Sequence, residues 1–347
     1  MPRITADPAL DAWSIDAATF PEHAPVEDQL AFLIRYAILA PSGHNTQPWH
    51  FRIDGPEVEI LADRSRGLPV VDPDDRALVI ACGAALGTLE VAAGHFGFRL
   101  SVDDLPGDRE EDVLVRVRVT GRDPVIEGDD PEFAAITTRR TNRARFDDRP
   151  LPDEVAARLV DLARGGRCWL HLATDPAERE RLAELVSSGD RIQMADSSFR
   201  RELAAWVRQT HSARPDGIRG YGFGFGDLMS RAGPFVIRTF DMGSGQAAKD
   251  WELAAGAPVL AVLGTDDDSP LDWICAGRAL SRVLLAARAA DLWAGFLNQP
   301  IEVPSLRHRV PPAVGRTGTP QLLFRLGYGP TPEPEPRRPI DEVLLRS

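Results

Sequence analysis

The chain has 347 residues, 43% of them hydrophobic, enough for one large or two medium domains with a real core. Its 40 Lys and Arg oppose 52 Asp and Glu, a net charge of -12, which excludes a nucleic-acid partner but not a local basic pocket for one small anion. Three scattered cysteines, Cys82, Cys168 and Cys275, with no CxxC pair, exclude a disulfide framework and a zinc site of the usual spacing and fit packing in a reducing, cytoplasmic setting.

The first ten residues show no charged region leading into an apolar one, and no apolar run reaches the roughly 20 residues of a membrane span, so neither a secretory signal nor a membrane is expected. Residues 26–39 place Leu30, Leu33, Ile34, Ala37 and Ile38 at three-four spacing, which predicts a helix that Pro41 stops. The polar loop "PSGHNTQPW", 41–49, follows. "WHFRI" and "EVEILAD" read as strands around a "DGP" turn. Residues 74–96 predict a long helix rich in small residues, and 113–120 a strand with one wet face. The acidic, turn-rich stretch 121–135 reads as a linker. Beyond it, "PDEVAARLVDLAR" predicts a helix, "CWLHLA" a strand, and "PAERERLAELVSSGDRI" and "SSFRRELAAWVRQT" two more helices. Residues 212–234 lose periodicity and become rich in glycine and aromatics. "APVLAVLGT" (257–265) predicts a buried strand, "DWICAGRALSRVLLAARAADL" a long helix, and "PQLLFRLGY" (320–328) a last strand before a proline-rich, charged tail.

One pattern occurs twice. Gly83-Ala84-Ala85-Leu86 with Ala92-Ala93 matches Gly277-Arg278-Ala279-Leu280 with Ala286-Ala287. Small residues on one face let two helix backbones approach closely. The repeat predicts related halves whose equivalent helices pack together, as in a symmetric dimer; the alternative is the chance likeness of two alanine-rich helices.

Chemistry-bearing clusters are few. His44 and His50 lack a third ligand at metal-site spacing, and the acidic runs lack the pattern of a calcium loop, so no metal is expected. Ser42 and His44 are close in sequence, but no G-x-S-x-G elbow surrounds them. "RRTNRARF", 139–146, gathers four arginines with Thr141 and Asn142 in an acidic chain. Guanidinium forks and a hydroxyl suit a phosphate dianion, and a helix opening there would add its own positive end; a solvated basic turn is the alternative. Arg337 and Arg338 form a second basic pair. "GYGFGFGD", 220–227, is not a phosphate fingerprint. It reads as a flap over a pocket or as a surface loop.

Together these residues resemble the nitroreductase-like FMN proteins. "RRTNRARF" resembles that family's RR[ST]xRxF phosphate motif, and "PSGHNTQPW" its PSxxNxQPW flavin loop. "DWICAGRALSRVLLAARAADL" is similar to its interface helix, and "PQLLFRLGYG" with "PRRPIDEVL" to its last core strand and basic tail. The motif order is reversed, and each motif occurs once, an arrangement similar to the fused Acg-type branch. The resemblance implies an α+β, nitroreductase-like fold of two diverged halves forming a pseudo-dimer, with a central antiparallel sheet flanked by helices. Residues 1–125 would supply the flavin loop, and 126–347 the phosphate grip and tail, with a lid at 212–234. It implies FMN as cofactor, held by Arg139, Arg140, Thr141, Arg143, Arg337 and Arg338, with Ser42, His44 and Asn45 contacting the flavin. Asn298 and Gln299 of "FLNQP" would lie at the flavin N5 edge, although the Glu-Gly pair common there in the family is missing. Pro48 and Trp49 would anchor the loop in the core.

The implied activity is an FMN-dependent oxidoreductase passing electrons from NAD(P)H to a nitro, quinone or similar acceptor. The alternatives are a lidded FMN-sequestering protein with little turnover, or a diverged scaffold with no flavin. No catalytic acid or base is named. The expected partners are NAD(P)H and a small-molecule acceptor, with the chain acting as a cytoplasmic monomer or homodimer.

Overall fold

The computed structural model describes residues 8–107, 112–124, 128–164, 167–223, 227–239 and 241–345. In chain order the first part contains α1 (Val26–Ala37), β1 (Trp49–Asp54), β2 (Glu57–Ala62), α2 (Arg76–His95), β3 (Phe98–Asp104), β4 (Val113–Arg122) and the short α3 (Pro131–Ile136). Then come α4 (Asp153–Ala163), β5 (Cys168–Ala173), α5 (Pro176–Ala195), α6 (Ser197–Trp206), β6 (Val207–Arg208), β7 (Ile218–Arg219), α7 (Asp227–Thr239) and α8 (Gly243–Ala255). The last part holds β8 (Val259–Thr265), α9 (Pro270–Ala289), β9 (Trp293–Phe296), α10 (Gln299–Glu302), α11 (Pro304–Arg307), α12 (Val310–Ala313), β10 (Thr319–Gly327), α13 (Ile340–Val343) and β11 (Leu344–Leu345).

The strands form two main sheets with one face of each pattern written in the sequence. The first has the order β11-β1-β2-β4-β3, and its β3 and β4 alternate buried and exposed residues, as one wet face requires. The second has the order β5-β8-β10-β9 and is covered on both faces, so β8 is buried along its whole length. All pairings in these sheets are antiparallel except that of β1 with β11. The α+β class holds, while the expected central antiparallel sheet is two sheets rather than one.

Helices α2 and α9 lie between the sheets and contribute to the cores on both sides. A Cβ on Gly83 would stand 2.4 Å from Ile274 O, and one on Gly277 would stand 2.1 Å from Ile80 O. Residue 80 precedes Gly83 by the same interval as 274 precedes Gly277, so the contacts are reciprocal, as across a two-fold axis. The repeated glycines exist because the backbones touch there. Thr88 and Ser281 hydroxyls also meet across the seam at 2.8 Å. Helix α2 is long and apolar enough to cross a membrane, contrary to the expectation from apolar runs, but 78% of that stretch is buried inside the protein.

Several elements were not legible from periodicity, β3, α8 and β9 among the longer ones, with the short α3, β6, β7, α10, α11, α12, α13 and β11; the stretch 121–135, which reads as a linker, in fact holds the end of β4 and most of α3. Part of the aperiodic 212–234 stretch is also helical, since α7 begins at Asp227 and carries Pro234 within it. Gly224–Gly226 of the glycine–aromatic run and 125–127 of the acidic linker lie outside the described residues. The tail crosses to the first sheet, where Leu344 and Leu345 pair with Phe51 and Arg52.

Candidate functional site

The loop after α1 is held in an unusual backbone. His44, Asn45 and Gln47 have φ of 48°, 56° and 53°, a region that side chains rarely adopt. The Ser42 hydroxyl accepts from Gln47 N (2.9 Å) and closes the loop. Trp49 is fully buried, as expected of an anchor, and Pro48 O accepts from Asp63 N (3.0 Å).

Asn45 ties three segments together. Its Nδ2 donates to Gly217 O and Pro336 O, both 3.0 Å, and its Oδ1 accepts from Arg337 Nη1 (2.9 Å). Its side chain is therefore consumed in joining the loop to the 207–223 segment and the tail. Asp216 strengthens that tie, pairing with Arg66 (2.6 Å) and Arg208 (2.9 Å). Tyr221 donates to Pro334 O (2.6 Å).

The "RRTNR" segment does not open a helix. It leaves the C-terminal end of α3, with Arg139 N donating to Ala135 O (2.8 Å), so no helix N-terminus adds to its charge. It then runs beside β9, where Thr141 bridges Ala294 and Asn142 N donates to Ala294 O (2.8 Å). Gly295 permits this approach, since a Cβ there would stand 2.3 Å from Asn142 O.

These segments enclose a cavity of about 540 Å³, within the usual range for small-molecule sites. Ser42, His44, Asn45, Arg139, Arg140, Thr141, Arg143, Asn298, Gln299 and Arg337 all line it. Arg338 does not. Its guanidinium donates to Gln47 O (3.1 Å), Asp63 Oδ2 (3.3 Å) and Glu342 O (3.1 Å), locking the loop from behind. Two adjacent arginines on an extended tail point opposite ways, and only Arg337 reaches the cavity.

Arg139, Arg140 and Arg337 are the electrostatic centre of one part of the wall. Arg139 and Arg337 are 6% and 5% exposed. Trp13 stands between two of the cations, 3.4 Å from the Arg140 guanidinium carbon and 4.7 Å from that of Arg337. The hydrogen bonds these three make run to neutral acceptors such as Leu39 O, Arg139 O and Asn45 Oδ1. No carboxylate among the described residues pairs with any of them; Arg143 alone in the segment has one, Glu335, at 3.1 Å. Burial pushes Arg139 down to about 10. Burial and then Arg139 push Arg140 to about 9, and burial with its two neighbours pushes Arg337 well below its ordinary value. Buried cations so arranged call for an anion.

His44 faces the same space. Its Nε2 is buried without a partner, and burial followed by Arg143 lowers the imidazole to about 4, so the ring is neutral at physiological pH. Asn298 is turned to structure, its Oδ1 accepting from Leu323 N (2.9 Å). Gln299 Nε2 donates to Asp190 Oδ1 (3.1 Å) and Asp250 Oδ2 (2.9 Å).

Several wall residues escaped the sequence reading. Arg325 is a lone charge in an apolar strand, and its guanidinium donates to Ala144 O and Asn142 O, both 3.1 Å, holding up the arginine segment. Arg76 in the first turn of α2 donates to Gln321 O (2.7 Å). Asp190 lies on the same stripe of α5 as buried Leu182 and Val186, a polar break in an apolar face that was a usable signal. Trp13 carried no pattern at all.

No protein-family model matches the chain. A Mycobacterium tuberculosis protein carrying the provisional name NAD(P)H nitroreductase is 30% identical over 332 residues, 93% of this chain and 92% of that protein. The similarly named Acg protein of that organism is 28% identical over 331 residues, 93% and 97% of the two chains. Among solved structures, the FMN-dependent nitroreductase NfnB from Mycobacterium smegmatis in complex with NADPH aligns at 18% identity and a TM-score of 0.40, over 61% of this chain and 96% of that one.

Proposed function

The chain belongs to the NAD(P)H nitroreductase family, and from that premise we propose that its cavity holds FMN and passes electrons from NAD(P)H to a nitro, quinone or similar acceptor. The observation that carries this reading is the trio Arg139, Arg140 and Arg337, two buried and Arg140 half-buried on one wall, with no carboxylate partner among the described residues. A phosphate dianion balances that charge and accepts from guanidinium forks, which a neutral ligand does not. Arg139, Arg140, Arg337 and Thr141 would hold the phosphate, with Arg143 shared between it and Glu335. Ser42 and neutral His44 would face the ring system, and Gln299 the region beyond the arginines. Bound FMN supplies the hydride-accepting and electron-passing chemistry. The chain's part is to fix the anion, exclude water under the 207–223 segment and present polar groups to the acceptor.

The reciprocal Gly83 and Gly277 contacts support a second element of the reading. The chain acts as two diverged halves, about 1–125 and 126–347, so that a site otherwise built between subunits is built once within one chain. The test is FMN titration of the apoprotein, followed by fluorescence quenching. One FMN per chain in the monomer is expected; no quenching, or two sites per chain, refutes the reading.

One observation favours a flavin-holding protein with slow turnover. The 207–223 segment is tied to the loop by Asn45 and to the tail by Tyr221. Anaerobic mixing of the FMN-loaded protein with NADH or NADPH separates the two. Bleaching of the flavin band identifies the oxidoreductase, and its absence with both nucleotides identifies the holder.

A further inference from the structure

A separate part of the same cavity wall is acidic. Asp190 of α5, Asp250 of α8 and Glu302 of α10 all line it. Gln299 bridges the first two through one amide group. This bridge depends on Gly189, where an added Cβ would stand 2.7 Å from the Gln299 Cβ and push the amide away.

The two aspartates are not equivalent. Burial raises Asp250 too, but its Oδ2 accepts from both Gln246 (2.9 Å) and Gln299 (2.9 Å), bonds that favour the charged form against that burial. Asp190 is 4% exposed and accepts one hydrogen bond, on Oδ1, while its Oδ2 is buried without a partner. A bare carboxylate oxygen is costly in that setting, whereas a neutral carboxyl carries an O–H that is left seeking an acceptor in a residue that lines the cavity. The surrounding charges agree. Asp250 and Glu302 face Asp190 from neighbouring elements, and Arg191 on its own helix opposes them weakly. Lys249 and Arg325 act on Asp250 instead, and Gln193 takes up Glu302 (2.8 Å). Burial first, then Asp250, raises Asp190 to about 8, so it carries its proton at neutral pH.

We propose that Asp190 is the proton donor to the electron acceptor, and that it selects acceptors whose reduced group is an oxygen gaining hydrogen, a quinone carbonyl or a nitro oxygen. The proposal rests on the oxidoreductase reading above. NAD(P)H is oxidised and contributes two electrons and one proton as a hydride equivalent. A quinone becoming a hydroquinone requires a second proton, and so does a nitro group becoming a nitroso group, whose N–O bond breaks as the oxygen leaves as water. An O–H bond forms at the acceptor oxygen as the Asp190 Oδ2–H bond breaks, the electron pair stays on the carboxylate, and water restores the proton afterwards.

Three measurements test this with Asp190→Asn, which keeps the shape and a donor but cannot release a proton. The first needs no flavin: infrared difference spectra of wild type across a pH titration should show a protonated carboxyl lost with a midpoint near 8. That band should be missing from Asp190→Asn. Asp250→Asn, which removes the neighbouring charge while leaving Asp190 in place, should move the midpoint down. The second uses oxidised, FMN-loaded protein without reductant. Its Kd for 1,4-naphthoquinone should weaken at least ~10-fold as Asp190 deprotonates, and should not vary with pH in Asp190→Asn. The third is stopped flow. Cofactor reduction by NAD(P)H should be unchanged in Asp190→Asn, and the following electron transfer to the quinone slower by about 10²-fold. A missing carboxyl band at pH 7, or a variant that matches wild type in quinone affinity and transfer at every pH, overturns the proposal. Failure to bind FMN overturns the flavin reading and the transfer step with it, and the infrared result then reports separately whether Asp190 holds a proton.

Discussion

Substituting Arg140 by alanine separates ligand binding from fold stability. In the folded chain its guanidinium stacks on Trp13 at 3.4 Å and Nη1 donates to Arg139 O at 2.9 Å. The first contact contributes about 0.5–2 kcal/mol and the second about 1 kcal/mol. Against them stands the cost of keeping the cation charged where burial first, and then Arg139, push it down to about 9. These effects oppose each other, so the apoprotein of Arg140→Ala should differ from wild type by no more than ~2 kcal/mol. The loss in binding is larger. Two charge-assisted bonds to phosphate, at about 1.5–3 kcal/mol each, weaken FMN by roughly 3–6 kcal/mol, or about 10² to 10⁴ in Kd. Calorimetric titration gives the Kd, and thermal unfolding with and without FMN gives the linkage, about 2.7 kcal/mol of stabilisation at 100 times Kd. An Arg140→Ala Kd within threefold of wild type, or an affinity that falls only in step with apoprotein stability, would mean that Arg140 does not hold the phosphate. Arg337→Ala would not separate the effects, because Arg337 also holds Asn45 and the carbonyls of Leu39 and Ala40.

Arg338→Ala should show the opposite pattern, with stability lower by about 1–3 kcal/mol as the buried Asp63 is left with His50 and the Ser65 hydroxyl, and FMN affinity changed by less than about threefold; thermal unfolding and titration decide, and an affinity loss equal to that of Arg140→Ala would mean Arg338 reaches the ligand. Gly277→Ala places a Cβ 2.1 Å from Ile80 O, forcing α2 and α9 apart at a cost of about 3 kcal/mol or more, seen as a lower urea midpoint; an unchanged midpoint would show that the seam is loose. Asp216→Ala frees Arg66 and Arg208 and should speed FMN release at least ~10-fold by fluorescence recovery on dilution, whereas an unaltered rate would mean that the 207–223 segment does not gate the site. Asp190 binds its proton more tightly folded than unfolded, so its contribution to stability is full below pH 3.8 and is lost as pH rises through about 8. The difference in unfolding free energy between wild type and Asp190→Asn should therefore fall across that window, and a difference that stays level would show an ordinary, ionised aspartate.

What the chain determines by itself is local and periodic. The three-four spacing of Leu30, Leu33 and Ile34 is enough for α1, and the alternation of Val113–Arg122 is enough for β4, because burial of one face follows the period of the backbone. The repeated glycines suggested a helix contact before any geometry was known, since small residues on one face let two backbones approach closely, and the structure shows that contact. Four arginines in an acidic chain, with the Arg337–Arg338 pair, likewise suggested an anion pocket. Tertiary structure decided which arginines line the cavity. Arg337 and Arg338 are neighbours with the same chemistry, yet one lines the cavity and the other locks a loop, because an extended tail sends successive side chains to opposite sides. The acidic wall was also out of reach of the sequence. Asp190, Asp250 and Gln299 come from three separate elements, and their shared hydrogen bonds exist only where Gly189 lets α5 approach the Gln299 turn. Spacing along a chain records what one element buries, and a site built from several elements depends on how those elements pack.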